Sequence, residues 1–246
     1  MITPLHNLSS RPLARLALAV LLALPVASGL AQTQGMHAAE PATAIPAPTV
    51  DSTAPGDGLE TAVVAGGCFW GVQAVFAHVK GVTLALAGYA GGTTVAPSYA
   101  EVSAGATGHA ESVHITFDPK AISYGKILQI YFSVAHNPTE LNYQGPDVGT
   151  QYRSAIFTTS VEQQHIAEAY IAQLGNAKVF KGPIVTAVSA LQAFYPAEDY
   201  HQDYAFLHPT QPYIAYNDLP KIVHLKRMFL DIYRDTPVLV RAKKAS

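Results

Sequence analysis

The alternation of apolar and polar positions predicts a series of short strands and amphipathic helices between residues 59 and 235. Apolar or alternating runs predict strands over residues 61–65, 82–87, 111–117, 154–158 and 184–189. Apolar positions at helical spacing predict helices over residues 69–79, 123–135, 161–176 and 221–233. Because strands and helices alternate within the length of one domain, the pattern by itself favours an α/β or α+β fold.

The segment before this domain begins with the layout of a secretory signal peptide. Residues 1–31 combine Arg11 and Arg15, an apolar run over residues 16–24 and small residues up to Ala31. The run is shorter than the roughly 20 residues that a membrane span needs. We therefore predict export to the bacterial periplasm, with no stable membrane insertion after cleavage. An uncleaved anchor is the alternative.

Two further segments lack the periodicity of a folded domain. Residues 32–58 are rich in Ala, Pro and Thr, which predicts a disordered linker. Residues 236–246 carry a few basic side chains, which predicts a solvated basic tail. The formal net charge of −2 offers no electrostatic basis for binding a phosphate backbone. We expect one exported, monomeric domain that does not bind nucleic acid.

Cys68 is the single cysteine of the chain. It cannot form an internal disulfide, so it is buried, intermolecular or reactive. An apolar strand, the pair Gly66-Gly67 and a helix that begins at Phe69 surround it. A helix N-terminus favours a thiolate, and this setting therefore predicts a nucleophile. An inert buried cysteine is the alternative.

Two neighbouring features favour a reactive site. Glu111 alternates with Ser112 and shares the apolar face of a predicted strand with Val113, where a carboxyl without partners is costly. An active-site role therefore suits Glu111 better than a structural one. The aromatic pair Phe69-Trp70 adjoins the cysteine and predicts either core packing or an apolar substrate slot.

Six ordered segments resemble the sequence blocks of the A-type methionine sulfoxide reductases. They are Gly67-Cys-Phe-Trp-Gly71, Gly88-Tyr-Ala-Gly-Gly92, Ser98-Tyr-Ala-Glu-Val102, Thr107-Gly-His-Ala-Glu111, Gln144-Gly-Pro-Asp-Val-Gly-Thr-Gln-Tyr-Arg-Ser154 and Ala197-Glu-Asp-Tyr-His-Gln202. The resemblance covers roughly residues 60–207. It implies an α+β two-layer sandwich with a mixed sheet and a ferredoxin-like core. The segments 136–153 and 194–220 would form long wrapping loops.

The resemblance also implies the reaction and its residues. Cys68 would attack the sulfur of methionine-S-sulfoxide, release methionine and become a sulfenic acid, with Glu111 as the acid. Tyr99 and Tyr152 would hold the sulfoxide oxygen. The implied substrate-binding residues are Phe69 and Trp70, which would receive the methyl group, and Asp147, which would orient neighbouring groups. The substrate would be oxidised methionine in exported proteins and peptides, with the free amino acid left open.

The chain departs from many relatives in ways that bear on recycling. Ser103 stands where some relatives carry a second cysteine, and the tail has none. We therefore expect an external thiol reductant, either a thioredoxin-like protein, a glutaredoxin or glutathione, and no metal or organic cofactor. Gln73 and Asn137 replace carboxylates that relatives often carry, which leaves the charge near the substrate open.

The residues leave three other functions open. A cysteine hydrolase would use Cys68 with a histidine such as His201 as base, and would form an acyl-enzyme. An exported binding module would use the aromatic residues alone. A peroxidase with one cysteine would also form a sulfenic acid but would release no methionine. His109 and His201 match motif positions, and we expect both to be structural. The histidine spacing does not predict a metal site.

Overall fold

The structure of the protein is a computed structural model that describes residues 41–52 and 57–241. The predicted signal peptide, residues 32–40 of the predicted linker and residues 242–246 lie outside the described residues. Within the described ranges, no helix combines the length and the apolar character needed to cross a membrane.

A curled mixed sheet of six strands forms one layer of the domain. Its strands are β1 (Glu60–Ala65), β2 (Val82–Ala90), β3 (Ala110–Phe117), β6 (Ala155–Thr158), β7 (Ala187–Ala190) and β8 (Phe194–Pro196), and the two-residue strands β4 (Tyr143–Gln144) and β5 (Asp147–Val148) pair separately. The order across the large sheet is β7-β6-β1-β3-β2-β8. Only β6 and β7 run parallel among these pairs; the others are antiparallel.

Helices form the second layer and carry the connections between strands. They are α1 (Phe69–Ala77), α2 (Tyr99–Ser103), α3 (Tyr124–Ile130), α4 (Val161–Ala177), α5 (Tyr204–Leu207) and α6 (Leu219–Met228). Single π-helical turns follow α3 at Tyr131–Ala135 and precede α6 at Ile214–Asp218. The strands alternate as expected: Val64 belongs to the main core with the helices, whereas its neighbour Val63 belongs to a small second cluster.

The sequence periodicity locates most elements, and the mixed α/β architecture agrees with the prediction. Several predicted elements differ in extent. The strand predicted over 82–87 continues to Ala90, and the strand predicted over 184–189 is β7. The helix predicted over 123–135 is α-helical only as far as Ile130, and the helix predicted over 221–233 ends at Met228. Strand β8 was not predicted because its three residues carry too little pattern. It depends on Gly88, where a Cβ would lie 2.3 Å from the ring of Phe194 and 2.4 Å from the carbonyl oxygen of Tyr195.

The prediction of a disordered linker is wrong for residues 41–52, which we call the N-terminal strap. Its carbonyl groups accept hydrogen bonds from helix side chains: Tyr170 Oη donates to Pro46 O at 2.7 Å, and Gln129 Nε2 donates to Ile45 O at 3.1 Å. Ile45 and Val50 pack against the main core. A proline-rich chain has few donors of its own, but its carbonyl groups remain free to accept. Composition alone does not reveal such partners.

Asp51 fixes the end of the strap, and its loss is expected to lower stability. Its carboxylate accepts from Ser123 Oγ at 2.5 Å and from the backbone N–H of Gly125 at 2.8 Å, at the start of α3. We expect Asp51→Ala to lower the free energy of unfolding by about 1–2 kcal/mol, because buried donors lose their acceptor. Thermal unfolding should show a melting temperature lower by about 2–6 °C.

The matched control is Asp57→Ala, which removes only an exposed ion pair with Lys120 at 3.4 Å. Such a pair contributes little, and no measurable change in melting temperature is expected. Equal melting temperatures for both variants would mean that the strap does not stabilise the domain.

The prediction of a solvated tail is wrong for residues 236–241. The backbone N–H groups of Val240 and Arg241 donate to the carboxylate of Asp203, each at 3.1 Å. Val238 N donates to Ala77 O at 2.9 Å, and the side chain of Val240 is buried. The basic residues of this segment predict solvation, but its valines pack against the domain.

Candidate active site

Cys68 lies at the junction of β1 and α1, as the strand-Gly-Gly-Cys-helix pattern predicts. It is the N-cap residue of α1, and 8% of its surface is exposed. Gly67 has a φ of +85°, and its N–H donates to Tyr152 O at 3.2 Å. A Cβ on Gly66 would lie 2.7 Å from the ring of His136. Because neither glycine has a Cβ, other parts of the chain can pack closely against the two residues that precede Cys68.

Glu111 lies on β3, which pairs with β1 in the sheet, and its side chain reaches the junction of β1 and α1. Only 2% of its surface is exposed, and its Oε2 accepts the N–H of Phe69 at 3.0 Å. Its carboxyl also interacts electrostatically with the side chain of Cys68. Burial, with a smaller effect from the charge of Asp147, raises the pKa of Glu111 to about 8. The carboxyl is therefore mainly protonated at neutral pH.

Burial opposes the thiolate that the helix N-terminus favours at Cys68. Burial is the largest cause that raises the pKa of Cys68 well above its ordinary value, followed by the charges of Glu111 and Asp218. The backbone N–H of Trp70 opposes this shift but does not reverse it. The helix N-terminus stabilises the anion less than burial among acidic groups destabilises it. These effects favour the thiol form of Cys68.

The structure brings Tyr99 and Tyr152 into the electrostatic neighbourhood of Cys68 and Glu111. Tyr99 begins α2, and Tyr152 ends a 3-10 turn at Thr150–Tyr152; both side chains are half-buried. Burial is the main cause that raises the pKa of each hydroxyl, and the charges of Glu111 and Cys68 add to it. Both tyrosines therefore keep their protons and are available as hydrogen-bond donors.

The aromatic pair after Cys68 occupies two different environments. Phe69 is 1% exposed, and its ring centroid lies 5.9 Å from that of Tyr89. Trp70 is half-buried and stacks on Tyr204, with ring centroids 3.9 Å apart and planes inclined by 12°. Its indole N–H donates to His201 Nδ1 at 3.2 Å. Packing thus fixes both rings next to the cysteine.

Asp147 lies on β5 and is half-buried. It accepts a hydrogen bond from the hydroxyl of Tyr213. Burial raises the pKa of Asp147, while that hydrogen bond and the charge of Lys221 oppose the shift. Its charge in turn acts on Cys68, Glu111 and Tyr152, which places it within the same cluster.

A buried ion pair that the sequence pattern does not reveal lies beside the first turn of α1. Asp218 is fully buried, and its Oδ1 lies 3.4 Å from Lys221 Nζ. Burial raises the pKa of Asp218 to about 6, although Lys221 opposes this. A Cβ on Gly71 would lie 2.1 Å from the same Oδ1, so only glycine fits there. The spacing of Asp218 and Lys221 is visible in the sequence, but their burial against α1 is not.

The side chains of Gln73 and His109 form hydrogen bonds within the protein. Gln73 is buried and donates to Ala85 O at 3.0 Å and to Gln202 Oε1 at 2.9 Å, so its amide is used within the core. His109 accepts from Gly92 N at 3.1 Å through Nδ1 and lies 2.8 Å from Thr94 O through Nε2. Both residues have structural hydrogen-bonding roles.

Comparisons with known proteins agree on one family. The model of the family described as peptide methionine sulfoxide reductase matches residues 60–231. The chain is 59% identical over 183 residues to peptide methionine sulfoxide reductase MsrA 2 of Mesorhizobium japonicum, which covers 74% of this chain and 94% of the relative. It is 48% identical over 207 residues to the protein of the same name from Synechocystis, covering 82% and 97%.

Solved structures agree with these similarities. Methionine sulfoxide reductase A of Corynebacterium diphtheriae superposes with a TM-score of 0.55 at 32% identity, covering 70% of this chain and 89% of that one. Mxr1 from Saccharomyces cerevisiae in its reduced form gives a TM-score of 0.56 at 29% identity, covering 65% and 90%. The curled mixed sheet and its helical layer thus have solved counterparts.

Proposed function

Because the chain belongs to the peptide methionine sulfoxide reductase family, we propose that it is an oxidoreductase that reduces methionine-S-sulfoxide in proteins and peptides to methionine. The observation that carries this proposal is a buried carboxyl group, that of Glu111, which accepts the N–H of Phe69, the residue next to the only cysteine, at 3.0 Å. A nucleophile for sulfur and a proton donor for the departing oxygen are the two groups that the reduction requires. The preference for the S epimer at the sulfoxide sulfur is what the family resemblance implies.

In the proposed reaction, Cys68 Sγ attacks the sulfoxide sulfur while Glu111 donates a proton to the sulfoxide oxygen. The attack forms a sulfur–sulfur bond, and the protonated oxygen leaves the substrate sulfur as water. A water molecule then attacks Cys68 Sγ and breaks the sulfur–sulfur bond, so that methionine leaves, Cys68 becomes a sulfenic acid and the released proton returns to Glu111. Cys68–SH and methionine sulfoxide thus give Cys68–SOH and methionine, without a net proton change. The hydrogen bond between Glu111 and the N–H of Phe69, next to Cys68, supports Glu111 as the relay for the thiol proton.

The remaining residues would hold the substrate. Tyr99 and Tyr152 keep their protons, which supports a role as donors to the sulfoxide oxygen. Phe69 and Trp70 would form the wall against the substrate methyl group. Asp147, held by Tyr213, would orient polar groups beside them.

Recycling of the sulfenic acid would require an external thiol. A second cysteine is absent from the chain, so no internal disulfide can form. Two equivalents of a thiol would convert Cys68–SOH to Cys68–SH, with one disulfide and one water as products. The reductant would be a thioredoxin-like protein, a glutaredoxin or glutathione, and the reaction would use neither metal nor organic cofactor.

We also propose the setting in which the enzyme works. The antiparallel order β6-β1-β3-β2 supports a ferredoxin-like core for the catalytic domain. The signal-like residues 1–31 support export to the periplasm, where a monomeric enzyme would repair oxidised exported proteins.

The experiment that tests this function uses a peptide with a single methionine-S-sulfoxide, and methionine formation is followed by chromatography. Without reductant, we expect about one methionine per enzyme; with excess dithiothreitol, turnover should continue. The R-sulfoxide peptide is the matched control and should remain unchanged. A reduced enzyme that forms no methionine from the S epimer would contradict the proposal. Acylation of Cys68 would then favour a hydrolase, and consumption of peroxide would favour a peroxidase.

A further inference from the structure

The hairpin of β4 and β5 packs against the residues that precede Cys68. Gln144, on β4, lies over Gly67, where a Cβ would be 2.7 Å from Gln144 Cβ. The amide of Gln144 is bound to the backbone of Asn137: its Oε1 accepts the N–H at 2.9 Å, and its Nε2 donates to the carbonyl oxygen at 2.6 Å. The hairpin and the loop before it therefore cover the chain that leads to the nucleophile.

Glu140 links this loop to the turn of the hairpin. Its Oε2 accepts the backbone N–H of Gly145 at 3.0 Å, in the turn between β4 and β5. Its Oε1 accepts a side-chain N–H of Asn137 at 3.2 Å. After the turn, Asp147 pairs with Gln144, so both side chains lie on the same face of the hairpin. The half-buried carboxylate of Glu140 thus bridges Asn137 and the turn that presents Asp147.

The contacts of Asn137 fix the orientation of its side-chain amide. Its Oδ1 accepts from the backbone N–H of Thr139 at 3.1 Å and from Thr139 Oγ1 at 2.8 Å. A backbone N–H can only donate, so Nδ2 is the atom that faces Glu140. A carboxylate at position 137 would remove this donor and place two negative charges beside each other. The bridge therefore depends on a neutral amide at this position.

The hairpin is too short to hold its own position. Each strand has two residues, and the other cross-strand pair, Tyr143 and Val148, is exposed at 40% and 76%. An isolated two-stranded hairpin is marginally stable at best, so contacts with the rest of the domain must fix it.

We propose that Glu140 is a positioning residue: bridged to the amide of Asn137, it holds the β4–β5 hairpin closed over Gly67 and so keeps Asp147 in place beside the substrate. The role in substrate binding rests on the function proposed above, whereas the closure of the hairpin does not depend on it.

Exchanging the donor and the acceptor tests the bridge. Asn137→Asp sets two carboxylates against each other, and Glu140→Gln sets two amide N–H groups against each other. In the double variant, the new amide at position 140 can donate to the new carboxylate at position 137 and still accept from Gly145. We expect the KM for the methionine-S-sulfoxide peptide to rise about 5- to 20-fold in Asn137→Asp, with kcat changed less than about threefold. In the double variant, KM should return to within about threefold of the wild-type value.

The rate at which Cys68 reacts with 5,5′-dithiobis(2-nitrobenzoate) reports the closure of the hairpin without any turnover, because Cys68 is the only cysteine of the chain. An open hairpin uncovers the residues beside the thiol, so Asn137→Asp should react at least about threefold faster than the wild-type protein. The double variant should react within about twofold of the wild-type rate. Asn176→Asp makes the same chemical change at an exposed position of α4; as the matched control, it should alter neither the rate nor KM.

Wild-type thiol reactivity in Asn137→Asp, or a double variant that reacts as fast as Asn137→Asp, would overturn the bridge. If Asn137→Asp does not fold, Glu140→Gln takes its place, and the double variant should then react more slowly than Glu140→Gln. Faster thiol reaction with an unchanged KM would overturn the role in substrate binding. An absence of reductase activity in the wild-type protein would instead contradict the proposed function, and the thiol rates would still decide whether Glu140 holds the hairpin closed.

Discussion

Replacing Cys68 by serine is expected to abolish the reduction of methionine sulfoxide, with kcat/KM lower by at least about 10³-fold. Serine has nearly the same size as cysteine, and Cys68 is buried, with 8% of its surface exposed. The substitution should therefore leave the shape of the pocket unchanged. A hydroxyl is a much weaker nucleophile toward sulfur and cannot hold oxygen as a sulfenic acid. The measurement is methionine formation from an S-sulfoxide peptide in the presence of dithiothreitol.

The serine variant also separates the reductase from a binding module. Substrate peptide should still bind to the variant, because the aromatic wall and the tyrosines remain. A calorimetric titration should therefore give a Kd within about tenfold of that of the wild-type protein under conditions without turnover. Wild-type turnover by Cys68→Ser would contradict a nucleophilic role for Cys68.

Replacing Glu111 by glutamine is expected to lower kcat/KM by about 10²- to 10⁴-fold, the contribution typical of a general acid. The amide keeps the shape of the side chain and can still accept the N–H of Phe69, which donates to Oε2 at 3.0 Å in the wild-type protein. The amide has no acidic proton that it could transfer to the substrate. Glu168→Gln, at an exposed position on α4, is the matched control and should retain full activity.

The pH dependence of the reaction gives a second test of Glu111. The acid must be protonated to act, and burial raises its pKa to about 8. Wild-type activity should therefore be maintained through neutral pH and fall about tenfold per unit well above pH 8. Because the pKa of Cys68 is also raised, ionisation of the thiol should not cause this fall. The fall should be absent from the profile of Glu111→Gln.

Either of two results would argue against Glu111 as the acid. One is a glutamine variant with wild-type kcat/KM. The other is an alkaline fall that persists in the variant with the same midpoint, since the titrating group would then be another residue. A stability measurement is needed in parallel, because the folded state loses stability as pH rises from the ordinary pKa of 4.5 to the raised pKa of Glu111, about 8.

The sequence allowed the main elements near the site to be predicted because their signals are local. The break at Gly66-Gly67 and the helical spacing after it place Cys68 at the start of a helix. Strict alternation along β3 places Glu111 on a buried face. Both inferences need only neighbouring residues, and both positions agree with the structure.

Properties that depend on distant residues could not be predicted in the same way. The helix N-terminus favours a thiolate at Cys68. The two acidic residues that oppose the thiolate are Glu111 on β3 and Asp218 at the start of α6, and both are distant from Cys68 in the sequence. The strap was predicted to be disordered because its composition is poor in apolar residues. Its partners, such as Tyr170, are 124 positions away along the chain. Tertiary contacts decide these cases.

The most direct test of the central claim is the mass of Cys68 after a single turnover. The reduced protein is mixed with an excess of a methionine-S-sulfoxide peptide without a thiol, trapped with a reagent specific for sulfenic acids, and digested for mass spectrometry. We expect about one methionine per enzyme, with oxygen, a gain of about 16 Da before trapping, located on the peptide that contains Cys68. Release of methionine without oxidation of Cys68, or an enzyme that releases none, would contradict the mechanism.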